Sequence, residues 1–200
     1  MTSDHLTTRQ KWENSNFMAE KSVLVLLEDG FEEVETIAPV DVLRRAGARV
    51  VLASLGGKHV VRGRSNVSLL PDTTLESVKK PAENFDLLFI PGGPAVMEMR
   101  RSPKPKQLAQ AFAEAGRIIG AICAAPLVLL DAGLLTGKRF TAHYTTLDEL
   151  PDALQNERVI RDGNIITSRG MGTALDFALE LSRALFDEST ATQLANDIML

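Results

Sequence analysis

The sequence predicts a single α/β domain built on a mostly parallel sheet with helices on both faces. Three observations carry this. Short apolar runs of strand length alternate with amphipathic stretches of helix length along most of the chain. The strongest runs, Ser22–Leu27, Phe85–Ile90 and Arg117–Ile122, are apolar at successive positions, as strands buried on both faces require. No internal repeat and no interior linker divides the 200 residues, a length that suits one domain with a sizeable core.

The elements follow in order. Met1 to Phe17 is polar and aperiodic, and the apolar pattern starts only after Met18. Residues 1–17 are expected to be a disordered extension, or the product of a misassigned start, with the domain over 18–200. Ser22–Leu27 is the first strand and Glu32–Ala46 a helix that Gly47 stops. Arg49–Ser54 is a second strand. Val60–Arg62 and Val67–Leu70 form a small hairpin around Gly63-Arg64-Ser65-Asn66. Phe85–Ile90 runs into Pro91-Gly92-Gly93-Pro94. Lys106–Ala115 is a helix, Arg117–Ile122 a strand and Ala124–Ala132 a helix. Phe140–Ala142 is short and strand-like. Glu157–Arg161 and Asn164–Ser168 flank Asp162-Gly163, a tight-turn signature. Ala174–Leu185 and Ser189–Asn196 are the closing helices.

Composition excludes several classes. Hydrophobic content of 44% and charged content of 24% are ordinary for a globular protein. A net charge of −4 offers no basic footprint for nucleic acid. No apolar run is long enough to cross a bilayer, and residues 1–17 lack the apolar core of a secretory signal. A cytoplasmic location is expected. One cysteine excludes an internal disulfide and a multi-cysteine zinc site.

That cysteine stands in the most informative stretch, Arg117-Ile118-Ile119-Gly120-Ala121-Ile122-Cys123-Ala124-Ala125-Pro126. A buried strand leads in, and Gly120 permits close approach to it. A helix leads out with Pro126 in its first turn. Cys123 therefore lies at a strand end and a helix start together, and the small neighbours Ala121, Ala124 and Ala125 allow the sharp turn of a nucleophile elbow. Unpaired N–H groups at a helix start favour a thiolate, so a lowered Cys123 pKa is expected. The plainer reading is a small buried hydrophobe. Pro91-Gly92-Gly93-Pro94, after another buried strand, lets N–H groups converge on an anion or a developing oxyanion.

Acids follow the first strand in Glu28-Asp29-Gly30-Phe31-Glu32-Glu33-Val34-Glu35. First-turn acids usually complement the helix dipole. Pro39 removes the hydrogen bond to the Glu35 carbonyl and should perturb the helix there. A carboxyl beside a thiolate would stay protonated through burial and like-charge repulsion. The residues alone leave Glu35 nearly level with Glu32 and Glu33. Of three histidines, His143 follows the short Phe140–Ala142 run and lies at a sheet end. Base or proton relay is one role for it, and a loop histidine held by hydrogen bonds is the other.

Several segments are similar to one family. They are Glu32-Glu33-Val34-Glu35-Thr36, Pro39-Val40-Asp41-Val42-Leu43-Arg44-Arg45-Ala46-Gly47, Pro91-Gly92-Gly93, Ala121-Ile122-Cys123-Ala124-Ala125-Pro126, and Thr167-Ser168-Arg169-Gly170 with Gly172-Thr173. In this order, from about Lys21 to the C-terminus, the chain resembles the ThiJ/PfpI family, also called the DJ-one superfamily. It looks closest to the branch of the parkinsonism-associated protein deglycase and its bacterial relatives. The resemblance implies a flavodoxin-like three-layer sandwich and a homodimer. It implies Cys123 as the oxidisable nucleophile, Glu35 as its protonated partner, and His143 as the active-site histidine. Gly93 and Ala124, with Gly92 beside them, would supply backbone donors. Tyr144, Met171 and Ser65 depart from the pattern, where relatives often carry proline, proline and arginine.

The resulting expectation is a cysteine-dependent glyoxalase or protein deglycase. It would act on methylglyoxal-type dicarbonyls, or on glycated protein and amino-acid adducts. No metal, glutathione or nucleotide cofactor is required, and no dinucleotide fingerprint is present. The alternative is a redox-sensing cysteine protein or holdase chaperone, whose Cys123 is oxidised to sulfinate. An amidase or peptidase is disfavoured, because no triad acid for His143 stands out.

Overall fold

A computed structural model describes residues 21–200, so the expected 1–17 extension lies outside the described residues. In chain order the elements are β1 (Ser22–Leu27), α1 (Glu33–Arg45), β2 (Arg49–Ser54), β3 (Val61–Arg62), β4 (Ser68–Leu69), β5 (Thr73–Thr74), α2 (Pro81–Asn84), β6 (Leu87–Ile90), α3 (Ala95–Arg101), α4 (Pro103–Glu114), β7 (Ile118–Ile122), α5 (Pro126–Asp131), β8 (Val159–Asp162), β9 (Ile165–Ser168), α6 (Ala174–Leu185) and α7 (Glu188–Asp197). The apolar residues of β1 and β6 are buried on both faces because these strands lie in the middle of a sheet ordered β5-β2-β1-β6-β7-β9-β8. All pairings in this sheet are parallel except β8 with β9, and β3 and β4 form a separate antiparallel pair. Helices α1, α6 and α7 pack together on one face, and α3, α4 and α5 on the other. This is the flavodoxin-like sandwich that the resemblance implied.

Winding direction places the site. The chain goes from β1 outward to β2, then returns past β1 to β6. Such a reversal opens a crevice beyond the carboxyl ends of the strands, here those of β1, β6 and β7. Gly120 in β7 meets the close approach expected of it: a Cβ there would lie 2.7 Å from Leu181 Cδ2 and 3.1 Å from Phe177 Cζ. Phe177 in turn packs on Phe89 with ring centroids 5.7 Å apart, locking α6 over the sheet.

Some elements differ from the sequence reading. Phe140–Ala142 is not a strand. β9 already has β7 and β8 as neighbours, so the segment is held by isolated bonds instead: Thr141 N–H to Thr167 Oγ1 at 3.0 Å, Leu154 N–H to the Phe140 carbonyl at 2.9 Å and Gln155 Nε2 to the Ala142 carbonyl at 3.3 Å. α3 follows directly on the glycine loop, in a stretch to which the sequence reading assigned no element. α4 starts at Pro103, not Lys106: Ser102 Oγ caps it, and a proline at the first helical position gives up an N–H that has no partner there anyway. α1 runs on through Pro39 without a break. In the β8–β9 hairpin Asp162 pairs with Ile165, so the turn is Gly163-Asn164, one residue later than read. Among the described residues no helix is long and apolar enough to cross a membrane.

Candidate active site

β7 ends at Ile122 and α5 starts only at Pro126, so Cys123, Ala124 and Ala125 make the elbow. Cys123 has φ +64, a left-handed conformation that side chains rarely adopt and that surrounding bonds must hold. Two bonds do so. Its N–H donates to the Ser168 carbonyl at 2.9 Å, and its carbonyl accepts from His143 N–H at 2.8 Å. The nucleophile candidate and the histidine are thus joined through the main chain.

The glycine loop supplies space and donors. The Gly93 and Ala124 N–H groups lie beside the Cys123 sulfur and favour its anion. Gly92 has another part: its carbonyl accepts from Glu32 N–H at 3.1 Å, and it leaves room. A Cβ on Gly92 would lie 2.3 Å from Glu35 Oε2 and 2.4 Å from Cys123 Cβ. Gly92→Ala is therefore expected to drive the acid and the thiol apart. We expect a stability loss of about 1–3 kcal/mol, the usual range for overpacking, together with loss of turnover. A thermal melt and an activity assay on the same preparation check this.

The three acids after β1 have three separate surroundings. Glu32 caps α1, accepting Glu35 N–H at 2.6 Å. Glu33 holds the β3–β4 hairpin, accepting Ser65 N–H at 2.6 Å. Glu35 is 2% exposed, faces Cys123, and has no hydrogen-bond partner for Oε2. Burial raises its pKa to about 7. The Glu32 charge adds to this, while the Cys123 thiol and Met171 N–H oppose it.

Cys123 departs from the expected direction. Burial pushes its thiol up to about 12, and the Glu35 carboxylate pushes the same way. The helix begins two residues later than read and has only six residues, so its dipole does not outweigh burial. Glu35 and Cys123 form a coupled pair that resists losing its last proton.

His143 Nδ1 pairs with Thr145 Oγ1 at 2.8 Å. Its pKa is lowered by burial and by the charges of Arg64 and Arg169, which favours neutral imidazole. Gly170 gathers the three side chains. A Cβ there would lie 3.3 Å from His143 Cδ2, 3.4 Å from Glu35 Oε1 and 4.0 Å from Cys123 Sγ. The loop bearing Gly170 is fixed by Thr173, whose Oγ1 bonds Ser168 Oγ at 2.7 Å and the Gly170 carbonyl at 2.8 Å.

Cys123, Glu35 and His143 open on a cavity of about 800 Å³. Sequence reasoning missed Arg64 and Met97 on its lining. Arg64 immediately precedes the flagged Ser65, and Met97 belongs to the unread helix α3. Tyr144 and Met171, two of the three departures, also line this cavity and are exposed. An arrangement of thiol, buried acid, neutral histidine and backbone donors suits addition to a carbonyl followed by proton transfer.

The DJ-1/PfpI family profile matches residues 21–184. Protein dj-1beta of Drosophila melanogaster is 38% identical over 184 residues, covering 90% of this chain and 97% of that protein. A crystal structure of Drosophila melanogaster DJ-1beta matches with a TM-score of 0.85 and 38% identity, over 90% of this chain and 98% of that one. The glutathione-independent glyoxalase DJR-1.2 of Caenorhabditis elegans is 35% identical over 187 residues, covering 91% and 98%.

Proposed function

The chain belongs to the DJ-1/PfpI family, and from that premise we propose that it is a cysteine-dependent, cofactor-independent glyoxalase for methylglyoxal-type dicarbonyls, with deglycase action on their early adducts. The observation that carries the reading is the convergence of Cys123 Sγ, the Glu35 carboxyl and the His143 ring around Gly170. The relative named as a glutathione-independent glyoxalase supports it.

In this reading the Cys123 sulfur adds to the aldehyde carbon, and the carbonyl oxygen takes a proton. The hydrogen on that carbon then moves as a proton to the neighbouring keto carbon by way of Glu35, whose pKa of about 7 suits both taking and returning it. The product is a thioester of a 2-hydroxy acid. Water cleaves it, releasing lactate and restoring the thiol, so methylglyoxal plus water balances as lactic acid. His143, with Nδ1 held by Thr145, has Nε2 left to relay the proton of the attacking water. The test is proton NMR of methylglyoxal with the protein and no glutathione. Lactate should accumulate. No lactate, alongside peroxide-driven sulfinate at Cys123 and suppressed aggregation of a client protein, would replace this reading with the redox or holdase one.

We also propose a homodimer. Among the apolar residues of α1, Val42 and Leu43 are inside the molecule, but Val34 and Ile37 are exposed. With Leu175, Ile198 and Met199 they line an apolar groove of about 600 Å³, a face suited to self-association. Sedimentation at micromolar concentration should give a dimer, and Ile37→Asp a monomer. A monomeric wild type refutes it.

A further inference from the structure

Arg100, in the last turn of α3, makes four hydrogen bonds to two carboxylates from different parts of the chain. Nε and Nη2 donate to Asp131 Oδ2 and Oδ1 at 2.7 and 2.9 Å. Nη1 and Nη2 donate to Glu149 Oε1 and Oε2 at 2.8 and 2.7 Å. Its side chain is only 17% exposed. Asp131 is the last residue of α5, the helix that follows the Cys123 elbow. Glu149 belongs to the irregular segment that begins at His143 and forms one wall of the Cys123 cavity.

Two features argue against incidental surface pairing. An acid at a helix C-terminus opposes the helix dipole, so Asp131 costs α5 stability unless a cation answers it. Both carboxylates are engaged bidentately at once, a geometry open to the planar fork of arginine and not to lysine. The segment from His143 to Glu149 contains one 3₁₀ turn, Tyr144–Thr146; the Glu149 and Leu150 N–H groups bond the Thr146 carbonyl and Leu150 is buried, so what the Arg100 fork adds is a direct tie from the Glu149 side chain to the helices.

We propose that Arg100 is a positioning residue of this site: it ties the 143–149 wall to the helix behind the nucleophile and so sets access to Cys123. The inference rests on Cys123 being the reactive centre, but its test does not depend on turnover. Cys123 is the only cysteine, so iodoacetamide reports on it alone. Three variants divide the clamp. Arg100→Met removes it, Arg100→Lys keeps the charge without the fork, and Asp131→Asn cuts the helix arm while touching nothing on the cavity lining. The loosened wall should speed alkylation and raise KM for methylglyoxal, each by about tenfold in Arg100→Met, the scale of losing a fixed geometry. Arg100→Lys and Asp131→Asn should move the same way to a smaller extent, with the pH profile of kcat unchanged. If Arg100→Met does not fold, the other two decide. A lowered melting temperature with alkylation and KM at wild-type values would overturn the proposal and make the clamp purely structural. If wild type shows no turnover, alkylation rates alone still decide it.

Discussion

Cys123→Ser is expected to lower lactate formation by on the order of 10⁶-fold, the scale seen when a nucleophile is removed from a unit that acts together. The protein should still fold. Both main-chain bonds that hold the elbow, to Ser168 and His143, survive the change. The new hydroxyl finds donors at Gly93 and Ala124 and an acceptor at Glu35, so the stability change should stay within about 1 kcal/mol. What serine lacks is a sulfur that adds reversibly to an aldehyde. Circular dichroism melts and NMR rates on one preparation check both halves. Full turnover in the serine variant would sink the covalent mechanism.

Glu35→Gln should separate two properties that the wild type combines. Glutamine carries no charge, so the repulsion by which the Glu35 carboxylate raises the thiol pKa disappears, and its amide N–H can donate to the thiolate. Alkylation of Cys123 near neutral pH should therefore become faster. Turnover should nevertheless collapse, because an amide does not shuttle a proton. Stability should respond to pH in a definite direction. In the unfolded chain Glu35 titrates near 4.5, and in the fold near 7. Between those values the folded state holds a proton that the unfolded state has lost. Its stabilising effect is complete below pH 4.5 and is lost as pH rises to about 7, a change of about 3 kcal/mol. Glutamine removes that dependence, so the stability difference should shift toward the variant by that amount between pH 4.5 and 7.5. Wild-type turnover in Glu35→Gln, or a difference independent of pH, would return Glu35 to a helix-dipole acid.

Much of this was legible in the sequence because the physics was local. Buried parallel strands announce themselves by unbroken apolar runs, and β1, β6 and β7 lie within those read. The elbow was visible as a strand, a small-residue turn and Pro126. Other features depend on contacts distant in sequence. Nothing near Glu35 distinguishes it from Glu32 and Glu33. Only the folded chain shows that one caps α1, one holds the hairpin and one meets Cys123. The direction of the Cys123 shift was misread for the same reason, since burial beneath the glycine loop and Glu35 is not encoded beside the cysteine. Helix α3, and with it Arg100, was hidden behind Gly92-Gly93-Pro94, whose turn residues mask the helix that follows.

The sheet borders bear on how copies of this molecule meet. One border is β5, only two residues long, and the other is β8, which presents Arg161 and Asp162. Lys138 and the Arg139 N–H both bond Asp162 there, which crowds that rim with charge. Short, charged rims give a neighbouring strand little main chain to pair with. Growth of one sheet into the next, the route to fibrous aggregates, is therefore disfavoured at both ends, which leaves the helical faces as the surfaces on which copies could meet.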